Sequence, residues 1–87
     1  MKREEILIEA EKLINGDRAK DYGDAYTNHK RIADIWSVVM GREVTVKEVI
    51  LCMIGMKMAR LVHDSKSDSW IDICGYAGLG GEIDGEG

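Results

Sequence analysis

The chain has 87 residues, of which 45% are hydrophobic and 32% charged, so it is long enough for one domain only. It contains no run of about 18 apolar residues, which excludes a transmembrane helix, and its charged start lacks the features of a signal peptide. These patterns predict a cytoplasmic protein. The 12 basic and 16 acidic residues leave a net charge of −4, which argues against general binding to nucleic acid or anionic lipid.

Proline is absent and four stretches have helical periodicity, so we expect an all-α fold. The predicted helices cover residues 2–14, 25–40, 46–63 and 69–79. A single domain would occupy residues 1–80, followed by an acidic, glycine-rich tail at residues 81–87. Asp24 is a candidate cap for the second helix, and Thr45 with Glu48 has the spacing of a capping box that starts the third.

The third predicted helix is apolar on nearly every face, which is typical of a buried helix. We therefore expect a compact four-helix arrangement with this helix at its centre. So short a chain can hardly enclose it, and a core this small is marginal alone, so we also expect a homo-oligomer. Cys52 and Cys74 are interpreted as small buried residues. Gly75 and Gly78 lie three residues apart on the fourth helix, where they would allow another helix to approach closely.

The most suggestive cluster of polar residues lies on the third and fourth helices. Lys57 and Arg60 share one side of the apolar third helix, while Asp68 and Asp72 lie at the start of the next. In an antiparallel hairpin centred on Lys66, Arg60 and Asp72 would lie at the same level. Cations on a buried helix need an anionic partner, which is either a carboxylate of this chain or the phosphate of a ligand. Both interpretations stay open here.

A second cluster lies in residues 17–24, a predicted loop, and on the second helix. Its polar members could clamp an anion or contact a ribose or metal, and aromatic residues nearby offer stacking surfaces. A solvated, turn-capping run of charges explains the same loop. The candidates from this cluster and from the aromatic residues are Arg18, Asp21, Tyr22, Asn28, Arg31, Trp36, Trp70 and Tyr76.

Several short motifs resemble a family of small bacteriophage and prophage proteins of unknown function. They are Asp21-Tyr-Gly-Asp24, Asn28, Arg31-Ile-Ala33, Trp36, Lys57-x-x-Arg60 and Asp68-Ser-Trp-x-Asp72-x-x-Gly-Tyr76. The resemblance spans roughly residues 15–83. It implies a phage or prophage origin and action in the cytoplasm of the bacterial host.

The helical layout is also remotely similar to MazG-type all-α nucleotide pyrophosphohydrolases, which bind Mg²⁺ through an E-x-x-E pair and an E-x-x-D pair. This chain has Lys57 and Arg60 where the first carboxylate pair would be, so only Asp68 and Asp72 could supply oxygens. Magnesium held by these two and by substrate phosphates is conceivable, but no cofactor is firmly expected. The resemblance favours a nucleotide-sized anionic ligand more than hydrolysis.

Three functions follow from these observations. In the favoured one, the chain binds a nucleotide or nucleotide-derived signal and sequesters it without turnover. Lys57 and Arg60, with Arg18 or Arg31, would meet the phosphates, Asp72 and Asn28 would read hydroxyls or base edges, and Trp36, Trp70 or Tyr76 would form apolar walls. The alternatives are an interaction protein that inhibits a host enzyme through its acidic surface and a Mg²⁺-dependent nucleotide pyrophosphohydrolase. Whether the chain is an enzyme stays open.

Overall fold

A computed structural model of the chain describes residues 1–16 and 24–86. These residues form four helices and no strand: α1 (Arg3–Asn15), α2 (Ala25–Met40), α3 (Val46–His63) and α4 (Ser67–Glu86). The predicted all-α fold is therefore confirmed for the described ranges. None of the helices described is long and apolar enough to cross a membrane. The predicted loop at 17–24 lies outside the described residues except for Asp24.

Local capping interactions set the bounds of α2 and α3, and both helices begin and end where the sequence predicts. The Asp24 carboxylate accepts a hydrogen bond from the Thr27 N–H at 3.1 Å, which satisfies a free amide of the first turn of α2. Gly41 ends this helix in the left-handed conformation, at φ 71°, which glycine adopts without steric cost.

The capping box at the start of α3 is confirmed. The Thr45 hydroxyl accepts a hydrogen bond from the Glu48 N–H, and the Glu48 carboxylate accepts one from the Thr45 N–H, both at 3.1 Å. The loop before it is tied back to α2 by Ser37, whose hydroxyl accepts from the Val44 N–H at 2.8 Å and donates to the Ala33 carbonyl at 2.7 Å. These bonds hold the start of α3 against α2.

Helix α4 packs against both α1 and α3, and it is longer than predicted at both ends. Instead of stopping at Leu79, it continues through the glycine-rich segment to Glu86. Ile83 packs against the core and Asp84 forms an ion pair with Lys47. No helix end therefore separates residues 1–80 from the segment that follows.

The glycines of α4 permit close contact with its two neighbours, as expected for Gly75 and Gly78. A Cβ atom on Gly75 would lie 3.1 Å from a methyl group of Ile14 in α1, and one on Gly78 would lie 3.5 Å from the same side chain. Gly80 stands in the same relation to Ile50 of α3, at 3.1 Å. A Cβ atom at Gly75 or Gly80 would require the neighbouring isoleucine to shift, whereas one at Gly78 would make an ordinary van der Waals contact.

The prediction of a buried third helix is met on one side only. Val46, Val49 and Ile50 of α3 are buried and form the core with Ala33 and Val44. The opposite side of α3 is exposed in the single chain, because α2 and α4 cover only adjoining parts of its circumference. The same geometry overturns the interpretation of the cysteines, since Cys52 is exposed and Cys74 is only partly buried.

Candidate functional site

An open cleft of about 590 Å³ lies where the end of α3 meets the start of α4. Helix periodicity places three polar residues of α3 along one wall, and the first turns of α4 form the other. We call it the α3–α4 cleft. Its ionisable lining residues are Lys57, Arg60, His63, Asp64, Lys66, Asp68 and Asp72. The structure thus brings together the four residues that form the first sequence cluster.

The partly buried ion pair of the cleft joins Lys57 to Asp72, not Arg60 to Asp72 as the hairpin argument suggested. The Lys57 Nζ lies 2.8 Å from the Asp72 carboxylate, and the two side chains are only 13% and 23% exposed. Lys57 follows Ile50 by seven residues, or almost two helical turns, and Ile50 contacts Gly80 of α4. Lys57 therefore lies on the side of α3 that faces α4, and Arg60 is rotated away from it.

Arg60 is exposed and lines the cleft without forming an ion pair with any carboxylate that the structure describes. Lys66 pairs with Asp64 at 3.5 Å, so two of the three cations in the cleft have a carboxylate beside them. Asp68, in the first turn of α4, likewise has no described ion-pair partner. One cationic and one anionic group of the cleft are thus available to a ligand.

Sequence reasoning did not single out Lys66 or Ser69 as members of this site. Ser69 is buried at the start of α4, where its N–H donates to the Lys66 carbonyl at 3.2 Å. Their position in the turn between the two helices could have identified both residues. In any α3–α4 hairpin, the residues of the turn lie beside the last turn of α3. Lys66 and Ser69 line the same end of the cleft as Asp68.

The remaining candidates lie elsewhere. Trp36 and Tyr76 pack against the core, and the Tyr76 ring meets the buried His29 ring edge to face with centroids 6.0 Å apart. Asn28 and Arg31 lie on α2 and Trp70 lies on α4, but none of the three lines the cleft. Arg18, Asp21 and Tyr22 fall outside the described residues, so only the members of the second sequence cluster that lie on α2 have a described position.

A metal site of three or more protein ligands is not formed by the described His, Cys, Asp and Glu residues. Two carboxylates of the cleft could supply oxygens to Mg²⁺. Asp72 is already paired with Lys57, whereas Asp68 has no described ion-pair partner. Among the described residues, the cleft thus presents a cation, Arg60, and a carboxylate, Asp68, that have no ion-pair partner.

Comparison with known proteins identifies phage relatives. The Gene 55 protein of Mycobacterium phage L5 is 47% identical over 76 residues, which cover 85% of this chain and 49% of the phage protein. The Gene 55 protein of Mycobacterium phage D29 is 42% identical over 76 residues, with 86% and 50% covered. The chain thus spans about half the length of the curated relatives it matches.

No solved structure matches the chain, and the comparisons show no link to MazG-type enzymes. The resemblance to phage proteins of unknown function is confirmed. The model of a family described as a domain of unknown function, DUF6378, matches residues 5–84. Since this match covers nearly the whole sequence, the chain belongs to the DUF6378 family.

Proposed function

We propose that the α3–α4 cleft binds a nucleotide or a nucleotide-derived signal, with Arg60 on a phosphate group. The observation that carries the proposal is the exposed Arg60 guanidinium, which lines the cleft while the neighbouring cations Lys57 and Lys66 each have a carboxylate partner. Arginine presents a planar set of donors that matches phosphate oxygens. The start of α4 also lies at this cleft, and the N-terminal end of a helix favours negative charge.

Asp68 is what favours a nucleotide over a simple anion. It lines the same cleft as Arg60, and an ionised carboxylate only accepts hydrogen bonds. A ligand that satisfies both residues must carry an anionic group and a hydroxyl or N–H donor, as a nucleotide does through its phosphate, ribose and base. A volume of about 590 Å³ falls within the range of about 300–1,000 Å³ typical of small-molecule sites.

The proposed activity is binding and sequestration, not hydrolysis. Magnesium-dependent hydrolysis needs carboxylates that hold the metal and an activated water, and Asp72 is already engaged by Lys57. Incubating the protein with nucleoside triphosphates and Mg²⁺, followed by chromatography, tests this part separately. Unchanged nucleotides are expected, and the appearance of nucleoside monophosphates would replace sequestration by turnover.

Binding is tested by titrating the protein with mono-, di- and triphosphates of adenosine and guanosine, with inorganic phosphate and adenosine as partial ligands. A ligand that binds only the folded state stabilises it by about 2.7 kcal/mol at a hundredfold excess over Kd. For a domain of this size that raises Tm by roughly 10–20 °C. Neither partial ligand should match a complete nucleotide, since each contacts only one of Arg60 and Asp68.

Arg60→Gln should weaken nucleotide binding at least tenfold and leave the helical circular dichroism signal and Tm of the free protein unchanged. Arg31→Gln is the matched control, because Arg31 is equally an exposed arginine on a helix but does not line the cleft. The proposal fails if no nucleotide raises Tm, or if Arg31→Gln abolishes binding and Arg60→Gln does not. Mass spectrometry of small molecules released from protein purified out of bacterial cells would identify the ligand.

A further inference from the structure

A row of exposed side chains on α3 points away from the core formed by the described residues. Leu51, Met58 and Val62 are 55%, 56% and 90% exposed. With Gly55 they follow a spacing of four, three and four residues, which is the repeat by which two helices pack along a common seam. We call Leu51, Gly55, Met58 and Val62 the α3 seam. It lies opposite the buried residues Val49 and Ile50.

The α3 seam has no charged residue of its own. Within the span of the seam, residues 51–62, the charged residues are Lys57 and Arg60. The Lys57 amine is held by Asp72 on the side that faces α4, and Arg60 lines the α3–α4 cleft. Solvent-exposed helices normally carry charged residues on the side away from the core. A contiguous uncharged face of this kind is typical of a surface that another protein covers.

The total exposed surface of the chain also supports a contact with another protein. The chain exposes 6310 Å², whereas a folded monomer of 9.7 kDa exposes about 5100 Å² by the usual scaling with mass. The difference exceeds the ~800 Å² that each partner contributes to an interface of standard size. This surplus is summed over all 87 residues, and the exposed apolar side chains of α3 contribute to it together with those of α2.

From this surface we infer that two copies of the chain associate through the α3 seam, with the two helices antiparallel. A two-fold interface requires one surface to be complementary to itself. When the antiparallel pair is centred between Gly55 and Met58, each Met58 lies opposite the Gly55 of the other copy, and each Leu51 lies opposite a Val62. The seam thus sets its largest flexible side chain against its smallest residue.

Gly55 gives this arrangement independent support. A Cβ atom placed on Gly55 would meet no atom of residues 1–16 and 24–86 within 4 Å, so no contact among these residues explains a glycine in the middle of α3. Glycine is the poorest helix former after proline. A helix of a second copy that places its Met58 over Gly55 would explain the glycine, because a larger residue would occupy the space of that side chain.

The α2 helix also has an exposed apolar row, which includes Ile35, Val38 and Val39. Its surroundings differ from those of the α3 seam. Arg31 precedes Ile35 by four residues and Asp34 precedes Val38 by four, so these charges lie on the same face of α2 as the apolar row. The charged residues of α3 within the span of its seam, Lys57 and Arg60, instead line the α3–α4 cleft. We therefore assign the contact between copies to α3. Val38 then provides a matched control, because it is 83% exposed and lies outside the proposed contact.

Sedimentation equilibrium over a range of protein concentrations tests the inference. The unaltered chain should sediment as a dimer, and Met58→Glu should raise the dimer dissociation constant at least a hundredfold. Val38→Glu should change it less than threefold. Because both side chains are exposed in the single chain, both variants should keep the helical circular dichroism signal.

Gly55→Leu gives a second test with effects of opposite sign. The substitution should raise the helical signal of the monomer, because leucine has the higher helix propensity, and should weaken the dimer at least tenfold by occupying the space of Met58. A chain that is monomeric at every concentration would overturn the inference. So would a dimer that survives Met58→Glu, or one that Val38→Glu dissociates.

Discussion

Lys57 and Arg60 are two cations separated by one helical turn, yet their surroundings differ completely. The Lys57 amine lies 2.8 Å from the Asp72 carboxylate in a largely buried pair. Arg60 is exposed at the cleft. The helical period of 100° per residue explains the contrast, because three residues rotate a side chain by about 60° away from the first position. We therefore expect substitutions at Lys57 to affect stability and substitutions at Arg60 to affect binding.

Lys57→Met should reduce the free energy of unfolding by about 1–3 kcal/mol. It leaves the Asp72 carboxylate partly buried without its partner, and the expected loss is smaller than for a fully buried pair since water still reaches both groups. Urea denaturation measures the effect. The double variant Lys57→Met, Asp72→Leu should recover most of the loss, because no charge is then left unpaired. A loss below about 0.5 kcal/mol in the single variant would show that the pair contributes little.

At the scale of the helix, capping interactions are local and also respond to pH. The pKa of Glu48 is lowered below its ordinary value of 4.5, chiefly because its carboxylate accepts a hydrogen bond from the Thr45 backbone N–H, and further because Arg42 lies beside it at 3.1 Å. A carboxyl group with a lower pKa in the folded state stabilises that state above its unfolded pKa. The contribution is lost as pH falls through the folded pKa.

Glu48→Gln should therefore flatten part of the loss of stability between pH 5 and pH 3, since glutamine keeps the capping geometry but does not titrate. Urea denaturation of both proteins at about pH 7, pH 5 and pH 3 measures the difference in slope. Glu4→Gln is the control, because it removes an exposed carboxylate from the first turn of α1. Equal pH dependence in the Glu48→Gln variant and the unaltered chain would contradict the assignment.

At the scale of the whole molecule, α4 joins the other elements because it packs against α1 and α3 at once. Its glycines differ in what they face. Gly80 lies against Ile50 of the core, whereas Gly81 faces open space. Substitutions at these two neighbouring glycines therefore distinguish the effect of packing on stability from the effect of helix propensity.

Gly80→Leu should destabilise the protein by about 1–3 kcal/mol, because the new side chain overpacks the contact with Ile50. Gly81→Leu should stabilise it by about 0.5–1 kcal/mol, because leucine is the better helix former and its Cβ atom would have no described atom within 4 Å. Thermal and urea denaturation compare the two variants with the unaltered protein. The same sign of change in both would show that α4 does not approach α3 closely at Gly80.

The sequence by itself determined the features that depend on neighbouring residues. The bounds of α2 and α3 follow from Asp24, Gly41 and the capping box of Thr45 with Glu48, since each of these bonds closes within four residues. The sequence also predicted most of the charged residues that line the cleft. Any hairpin of α3 and α4 brings four of them to one end: Lys57, Arg60, Asp68 and Asp72.

Only the tertiary structure decided the features that depend on how one helix is rotated and shifted against another. One such feature is the choice of the cation that pairs with Asp72, because a small shift in helix register would exchange Lys57 for Arg60. The length of α4 is another, since its glycines weaken the isolated helix and become useful only against Ile14 and Ile50. The exposed side of α3 is the third: helical periodicity marks it as apolar, but contacts between helices determine which part of it remains uncovered.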